Sequence, residues 1–289
     1  MANKEKTVGI IGGTGLLGGI FSKVFERQGQ NVLIAGRETE LSYKDLVKKS
    51  DVIIFSVPIH VTKEVVDDVL PYTRKDQLLM DFTSIKKPFI NKMLESEASV
   101  IGLHPMFGPV ESIEGKTIIA CPARPGEWMA WVKNIFEQEG AEIKITNKEK
   151  HDKIMSLLQG LMHSNFIVFG KTLKEASEKY GIEFRELLDY GGPIYEMRYN
   201  VLGRILGHDP SLYADIAIEN ERVKEVVDVY EREVKELHKI IGKKNKESFE
   251  NYFKEAGKAY KGFEDKIKEE SREMIELFSK LNKSGKEND

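Results

Sequence analysis

A single histidine, His104, stands where an apolar segment gives way to a loop containing two prolines. An imidazole titrates near neutral pH, so it can accept a proton from a substrate hydroxyl. The segment from Ala98 to Leu103 is short, partly β-branched and bounded by turn residues, which predicts a buried strand. Pro105 and Pro109 bias the loop toward extended backbone. These residues alone leave open whether His104 is a catalyst or only a hydrogen-bonded loop cap.

A glycine-rich loop near the start of the chain has the spacing of a phosphate-binding turn. The pattern G-x-G-x-x-G is met by six consecutive residues, Gly13, Thr14, Gly15, Leu16, Leu17 and Gly18. An apolar strand is predicted over residues 7–12, an amphipathic helix follows to about residue 28, and a second strand covers residues 31–35. In this context the glycines allow a tight turn and close backbone approach to a pyrophosphate at the helix N-terminus. A dinucleotide cofactor is therefore predicted.

The residues at the end of the second strand indicate whether NAD or NADP binds. NAD sites usually carry an acidic residue here for the ribose hydroxyls, but this chain has Gly36 followed by Arg37. A guanidinium suits a 2′-phosphate, which favours NADP. Glu38 and Glu40 lie nearby and keep NAD as the alternative, and Arg37 could also be a solvated loop charge.

Helices and strands then alternate through the first half of the chain. Further strands are predicted over residues 51–57, 78–82, 98–103, 116–121 and 141–145, with helices over 43–49, 60–70 and 127–139. The strand at 51–57 ends in Ser56, Val57 and Pro58, which we expect to lie over the cofactor cleft. This alternation predicts an α/β fold with a Rossmann-type, doubly wound, mostly parallel sheet.

The second half of the chain shows only helical patterns. The spacing of Thr146 and Glu149 is that of a capping box, and helices are predicted over 184–190, 194–206, 212–240 and 248–281. We therefore predict an NAD(P)-binding Rossmann domain over residues 1–147 and an all-helical substrate and dimerisation domain over 148–289. The long apolar helix faces suggest a homodimer.

Composition narrows the classes of function. The chain has 289 residues, 40% hydrophobic and 31% charged, with a formal net charge of −3. Neither a nucleic-acid partner nor a membrane partner is expected from this balance, and no signal peptide is apparent. Because the sequence contains a single cysteine, Cys121, we expect neither an intrachain disulfide nor a thiolate metal cluster. This cysteine content fits a reducing cytoplasm.

Several motifs resemble the prephenate dehydrogenase family of tyrosine biosynthesis, and in particular the dehydrogenase part of the bifunctional chorismate mutase–prephenate dehydrogenases; the mutase part has no counterpart here. The resemblance covers nearly the full length. Its most specific pieces are Ser56 to Thr62, Gly102 to Pro109, Pro193 to Tyr195 with Gly203-Arg204, and Asp209-Pro210 with Leu212 to Ile216. It implies hydride transfer from prephenate to NADP or NAD, with loss of CO2 to give 4-hydroxyphenylpyruvate.

The resemblance also implies roles for particular residues. His104 would accept the substrate's hydroxyl proton, and Ser84 would hydrogen-bond both His104 and that hydroxyl, although Ser84 could instead cap a helix. Arg204 and His163 would bind the substrate carboxylates. Lys86 would have a supporting role near the substrate or be a solvated charge. Tyr213 occupies a position that in relatives influences the choice between prephenate and arogenate, or the response to tyrosine, and it could equally be a packing residue.

Three alternatives remain open from the sequence. Arogenate dehydrogenase differs only in the side chain of the substrate. Another NAD(P)-dependent hydroxyacid or imine-type oxidoreductase would share the architecture, but the small-residue motif around its usual helix lysine is absent near Lys153 and Lys171. A non-catalytic NADP-sensing regulator would need the glycine loop but no proton acceptor at His104.

Overall fold

The computed structural model describes residues 5–286 and divides the chain into two compact units. The first unit runs to Gln159 and also includes Ser211–Val223. The second comprises Gly160–Pro210 and the chain from Lys224 onward. The first unit is therefore discontinuous in sequence.

A seven-stranded sheet forms the centre of the first unit, with the strand order β2-β1-β3-β4-β5-β6-β7. Strands β1 to β5 are parallel, β6 runs antiparallel to β5, and β7 is parallel to β6. The strands are β1 (Thr7–Ile11), β2 (Asn31–Ala35), β3 (Val52–Phe55), β4 (Leu78–Asp81), β5 (Ser99–Pro105), β6 (Thr117–Arg124) and β7 (Glu142–Ile145). The predicted doubly wound, mostly parallel sheet is confirmed.

The helices of the first unit cover both faces of this sheet. They are α1 (Leu16–Arg27), α2 (Tyr43–Lys49), α3 (Ile59–Val69), α4 (Lys87–Met93), α5 (Trp128–Gln138), α6 (Lys148–Met155) and α10 (Pro210–Glu219). Strands β3 and β4 are buried at every position, as expected for parallel strands covered on both faces. Two apolar clusters, one centred on Phe21 and Phe136 and the other on Phe55 and Val66, fill the space between sheet and helices.

The second unit consists of helices and the turns that connect them, with no strand among its described residues. A π-helical turn (Ser156–Leu161) leads into α7 (Met162–Tyr180), and the remaining helices are α8 (Phe184–Tyr190), α9 (Pro193–Leu206), α11 (Glu221–Gly242), α12 (Lys246–Gly257) and α13 (Glu264–Lys286). Helix α9 packs against α7 and α13. The predicted helical second half is confirmed, although residues 212–240 and 248–281 are each interrupted. Across residues 5–286, no helix combines the length and apolarity required to cross a bilayer.

The compact units divide the chain differently from the predicted boundary after residue 147. Helix α6 stays with the sheet because Asp152 accepts hydrogen bonds from the backbone at the start of α4. Helix α10 returns to the sheet because Ile216 packs against Ile59 and Phe89. The predicted cap of α6 also shifts by one residue: Asn147, and not Thr146, accepts a hydrogen bond from the backbone of Lys150.

Candidate active site and cofactor cleft

The glycine loop lies at the switch point of the sheet, where β2 extends from one side of β1 and β3 from the other. Ligands bind at this point in doubly wound sheets. Gly12, one residue before the predicted motif, has a backbone φ of +86°. A Cβ atom there would lie 2.3 Å from the Ser56 carbonyl oxygen, so the two loops meet closely. The left-handed residue is therefore Gly12 and not Gly13, the first glycine of the predicted pattern.

The rest of the motif forms the start of α1. Gly15 is the N-cap, with no side-chain cap and no acidic residue in the first turn, so backbone N–H groups remain available to an anion. A Cβ atom on Gly18 would lie 2.5 Å from the Gly12 carbonyl oxygen, which explains the third glycine. Leu16 is exposed and Leu17 is half-buried. These residues fit the pyrophosphate of a dinucleotide.

The loop after β3 faces the same edge of the sheet. Ser56 and Val57 are half-buried and Pro58 is exposed at the start of α3. Asp215 of α10 caps this helix, because its carboxylate accepts a hydrogen bond from the His60 backbone at 3.3 Å and lies 2.8 Å from His60 Nδ1. Helix α10 thereby fixes the segment that follows Ser56, Val57 and Pro58.

Arg37 lies in the turn after β2. The turn is shaped by Thr39, whose hydroxyl accepts a hydrogen bond from the Gly36 backbone at 2.9 Å. Arg37 is exposed, and no salt bridge to it occurs within the described range 5–286. Its guanidinium is therefore accessible to a phosphate.

His104 lies at the carboxyl end of strand β5, as the sequence predicted, although the strand continues two residues beyond its predicted end at Leu103. The strand extends to Pro105 because His104 and Pro105 pair with Ile119 and Ile118 of β6. The carboxyl end of β5 shares its edge of the sheet with those of β1 and β3. A strand spacing of about 4.8 Å places β5 about 14 Å from β1. His104 is 2% exposed.

Two further residues are linked to the His104 ring by hydrogen bonds. Its Nδ1 lies 2.9 Å from His151 Nε2, and His151 Nδ1 lies 2.7 Å from Asp152 Oδ1. Asp152 also accepts hydrogen bonds from the backbone N–H groups of Lys86 and Lys87, each at 2.9 Å. His104, His151 and Asp152 thus form one hydrogen-bonded line, which we call the histidine–aspartate line.

The line determines the tautomer of both imidazoles. Asp152 is an acceptor, so His151 donates through Nδ1–H and presents Nε2 as an acceptor. His104 must then donate through its own Nδ1–H, which leaves the lone pair of Nε2 as its acceptor. The atom of His104 not used by the line is therefore the one able to take a proton.

Burial keeps these imidazoles neutral. It lowers the pKa of His104 well below its usual 6.5, and the neighbouring His151 and Lys86 lower it further. Burial also lowers the pKa of His151, against the opposing effect of its hydrogen bond to Asp152. For Asp152, burial raises the pKa, but the hydrogen bonds from His151, Lys86 and Lys87 outweigh it, so the pKa is lowered. In the resting line, His104 and His151 are therefore neutral and Asp152 is an anion.

Gln159 covers the free nitrogen of His104. Its Nε2 atom lies 3.4 Å from His104 Nε2, consistent with a weak bond from the amide to the imidazole lone pair. Gln159 is presented by the π-helical turn, an irregularity that is frequent at functional sites. A donor such as a substrate hydroxyl could take the place of this amide.

Lys86 is fully buried, which contradicts the alternative of a solvated charge. Its ammonium group forms a salt bridge with Asp81 and donates a hydrogen bond to the Leu103 carbonyl oxygen at 2.7 Å. Because both of these partners are buried parts of the protein, we interpret Lys86 as a residue that holds the carboxyl end of β5, directly before His104, and not as a substrate ligand.

Ser84 is half-buried in the segment between β4 and α4. Among the described residues its hydroxyl forms no hydrogen bond with His104, so the predicted contact is not present. The reason is that His151 and Gln159 occupy the two ring nitrogens. Ser84 does not cap α4 either, because Asp152 binds the first backbone N–H groups of that helix.

The remaining predicted substrate residues lie on other helices. Tyr213 is half-buried on α10 in the first unit. His163 and Arg204 belong to the second unit, on α7 and α9 respectively. Burial lowers the pKa of His163. Arg204 is exposed and lines a groove of about 930 Å³ in that unit.

Comparison with known proteins agrees with this arrangement. Residues 26–145 match the prephenate dehydrogenase nucleotide-binding domain, and residues 147–255 match the prephenate dehydrogenase dimerization domain. The T-protein of Haemophilus influenzae is 30% identical over 274 residues, covering 94% of this chain and 72% of that protein. The chain belongs to the prephenate dehydrogenase family.

One further relative and one solved structure are also similar to this chain. A probable arogenate/prephenate dehydrogenase of Methanocaldococcus jannaschii is 37% identical over 281 residues, covering 90% of this chain but only 62% of that protein. The crystal structure of Aquifex aeolicus prephenate dehydrogenase with hydroxyphenyl propionate and NAD+ superimposes with a TM-score of 0.70 at 21% identity, covering 89% of this chain and 97% of that one. This structural likeness confirms the predicted fold.

Proposed function

We propose that this protein oxidises prephenate, with hydride transfer to NADP or NAD and loss of CO2, to give 4-hydroxyphenylpyruvate. The observation that carries the proposal is the Nε2 lone pair of His104, which the line leaves as a proton acceptor behind the Gln159 amide, on the sheet edge that also bears the glycine loop. Membership of the prephenate dehydrogenase family supports the substrate class.

His104 acts as the proton acceptor. The substrate hydroxyl replaces the Gln159 amide as the donor to His104 Nε2, and transfer of its proton pushes electron density toward the departing hydride. The nicotinamide, when bound, accepts that hydride. Loss of the ring carboxylate as CO2 then makes the ring aromatic. The glycine loop and the loop of Ser56, Val57 and Pro58 hold the cofactor.

Cations are needed for the two carboxylates of prephenate. We assign the side-chain carboxylate to Arg204, whose planar guanidinium can bind it through two parallel hydrogen bonds, with His163 as a second donor. Tyr213 is proposed to contribute to the choice of substrate. Ser84, which is half-buried on the segment before α4, is proposed to donate a hydrogen bond to bound substrate.

An assay with two substrates and two cofactors tests the proposal directly. Purified protein receives prephenate or arogenate with NAD or NADP, and nicotinamide absorbance reports turnover. We expect turnover with prephenate. Arogenate is the second candidate, because the M. jannaschii relative is described as a probable arogenate/prephenate dehydrogenase. Cofactor binding without turnover of either substrate would instead support the NADP-sensing alternative.

Arg37 decides the cofactor in our proposal. We expect NADP to be preferred, because Arg37 is exposed, no carboxylate ends β2, and a guanidinium suits a 2′-phosphate. The NAD+ bound in the A. aeolicus structure keeps NAD as the alternative. Arg37→Ala should raise the KM for NADP about tenfold, which corresponds to the loss of about one charge-assisted hydrogen bond. The KM for NAD should stay within about twofold of wild type. A wild-type preference for NAD would contradict the assignment.

Arg204→Ala tests the carboxylate site. Removal of a ground-state contact raises KM more than it lowers kcat. We expect the KM for prephenate to rise about 10- to 100-fold, equivalent to one or two charged hydrogen bonds. Arg198→Ala, on the same helix, is the matched control. Equal KM values for the Arg204 variant and the wild type would remove Arg204 from the site.

Homodimerisation is proposed for the second unit. Its match to a dimerization domain supports this, as does the exposure of large apolar side chains on its helices. These include Val229 and Val234 on α11, Phe253 on α12, and Met274 and Leu277 on α13.

A further inference from the structure

The histidine–aspartate line ends at a cavity that is separate from the free nitrogen of His104. Asp152 lines a cavity of about 440 Å³ beside α4 and α10. Its other walls include Lys87, Asn91, Glu149 and Glu221, all of them exposed residues. The side chain of His151 is 0% exposed, whereas that of Asp152 is 7% exposed. The line therefore runs from a buried base toward solvent.

We propose that this line conducts the substrate's proton from His104 to water in the Asp152 cavity. The inference rests on the proposed role of His104 as the base, and it makes His151 and Asp152 participants in proton transfer in addition to supports for the imidazole.

The surroundings of His104 give a reason for such a route. A proton left on His104 would be a buried cation 2.9 Å from another imidazole and close to the Lys86 ammonium, both of which disfavour it. The Nε2 side cannot release the proton to solvent while substrate is bound there. The other nitrogen of the ring is Nδ1, which lies 2.9 Å from His151 Nε2.

The transfer balances at each atom. The substrate hydroxyl gives its proton to His104 Nε2 as its carbon loses a hydride to the nicotinamide. His104 Nδ1–H passes its proton to His151 Nε2, and His151 Nδ1–H passes its proton to Asp152 Oδ1. Asp152 then releases a proton to the water of its cavity. After product leaves, Asp152 takes up a proton from this water, the line passes protons back to His104 Nδ1, and His104 Nε2 releases its proton to water that enters the substrate site, which restores both tautomers. No charge remains on either buried ring.

Asp152 is built to receive a proton only transiently. Three donors, His151 Nδ1 and the backbone N–H groups of Lys86 and Lys87, stabilise its carboxylate. The other charged groups around its cavity are Lys87, Glu149, Glu219, Glu221 and Arg222. Lys86 and Asp81 face the line from the strand side. The acceptor is thus an anion that readily returns the proton to water.

The deciding variant is His151→Gln. A glutamine oxygen can accept the His104 Nδ1–H bond and keep the tautomer, but an amide does not pass a proton onward. We expect kcat with prephenate to fall about 100-fold, the lower end of the range for a lost proton-transfer group. The KM should stay within about twofold of wild type. In mixtures of H2O and D2O, a plot of the wild-type rate against the deuterium fraction should be curved, because several protons move. The same plot for the variant should be a straight line, because only the substrate's proton moves.

Glu149→Gln is the matched control, because it removes a charge from the same cavity without touching the line, and it should behave as wild type. If His151→Gln fails to give folded protein by thermal melting, Asp152→Asn is measured with the same readouts. Wild-type kcat and a curved dependence in the line variant would overturn the proposal. A lower kcat with the curved dependence retained would also overturn it, leaving His151 as a positioning residue. An active His104→Asn would instead refute the proposed base.

Discussion

His104→Asn is expected to lower kcat/KM for prephenate about 10²- to 10⁴-fold, the range attributed to a positioned general base. The asparagine amide can stand where His104 Nδ1 stands and still donate to His151 Nε2, which lies 2.9 Å from that atom in the wild type. It has no atom at the position of Nε2. The variant therefore removes the proton acceptor and keeps the buried hydrogen bond.

Steady-state rates, cofactor affinity and thermal melting together check this result. Cofactor affinity should stay within about twofold of wild type, since the glycine loop is three strands away in the sheet order. His238→Asn, an exposed histidine on α11, controls for the substitution itself. Turnover within a fewfold of wild type in His104→Asn would show that another group takes the proton.

The pH dependence of the wild type follows from the same burial. A base works when it is neutral, and burial lowers the pKa of His104 well below 6.5. The plateau of kcat/KM should therefore extend below pH 6.5, and activity should be lost only as the pH approaches the lowered pKa. An acid limb centred at or above pH 6.5 would contradict the buried, neutral imidazole.

Lys86→Met is expected to cost about 3–5 kcal/mol in the free energy of unfolding of the first unit, the usual result of removing one partner from a buried salt bridge. Lys86 and Asp81 are both 0% exposed. Without the ammonium group, Asp81 would keep a buried charge whose Oδ1 atom already has no hydrogen-bond partner among the described residues. The Leu103 carbonyl oxygen would lose a donor as well.

Tryptophan fluorescence during urea unfolding measures this effect. Both tryptophans of the chain, Trp128 and Trp131, lie on α5, so the signal reports the first unit. Lys87→Met is the control: Lys87 is 47% exposed and pairs with an exposed Glu221, so its loss should cost less than about 1 kcal/mol. Equal urea midpoints for the two variants would show that the buried pair does not stabilise the unit.

Much of the first unit could be predicted from the sequence because its signals are local. Short apolar runs bounded by glycine, proline and polar residues mark each strand, and the strand–glycine loop–helix order identifies the cleft. The errors there are small: β3 ends at Phe55 and β5 extends through His104 to Pro105. The extension depends on pairing with β6, which no local pattern in β5 contains.

The partners of His104 were missed for the opposite reason. His151 and Asp152 are 47 and 48 residues away in sequence, on a helix whose polar residues resemble an exposed face. Gln159 reaches the ring only because a π turn changes the helical phase. The adjacent pair of a histidine and an aspartate at the first helix after the sheet was the one available signal. The burial of Lys86, which excludes the alternative of a solvated charge, could not be predicted either, because it depends on contacts with Asp81 and Leu103.

The return of residues 211–223 to the first unit has a consequence for the protein as it is synthesised. The sheet strands are complete at Ile145, but the cap that Asp215 places on α3 and the packing of Ile216 come from chain made much later. At about 5–20 residues per second, a ribosome supplies that segment several seconds after β7. During this interval Ile59 and Phe89 lack their contact with Ile216, so the first unit can complete its packing only after residue 223 has been synthesised.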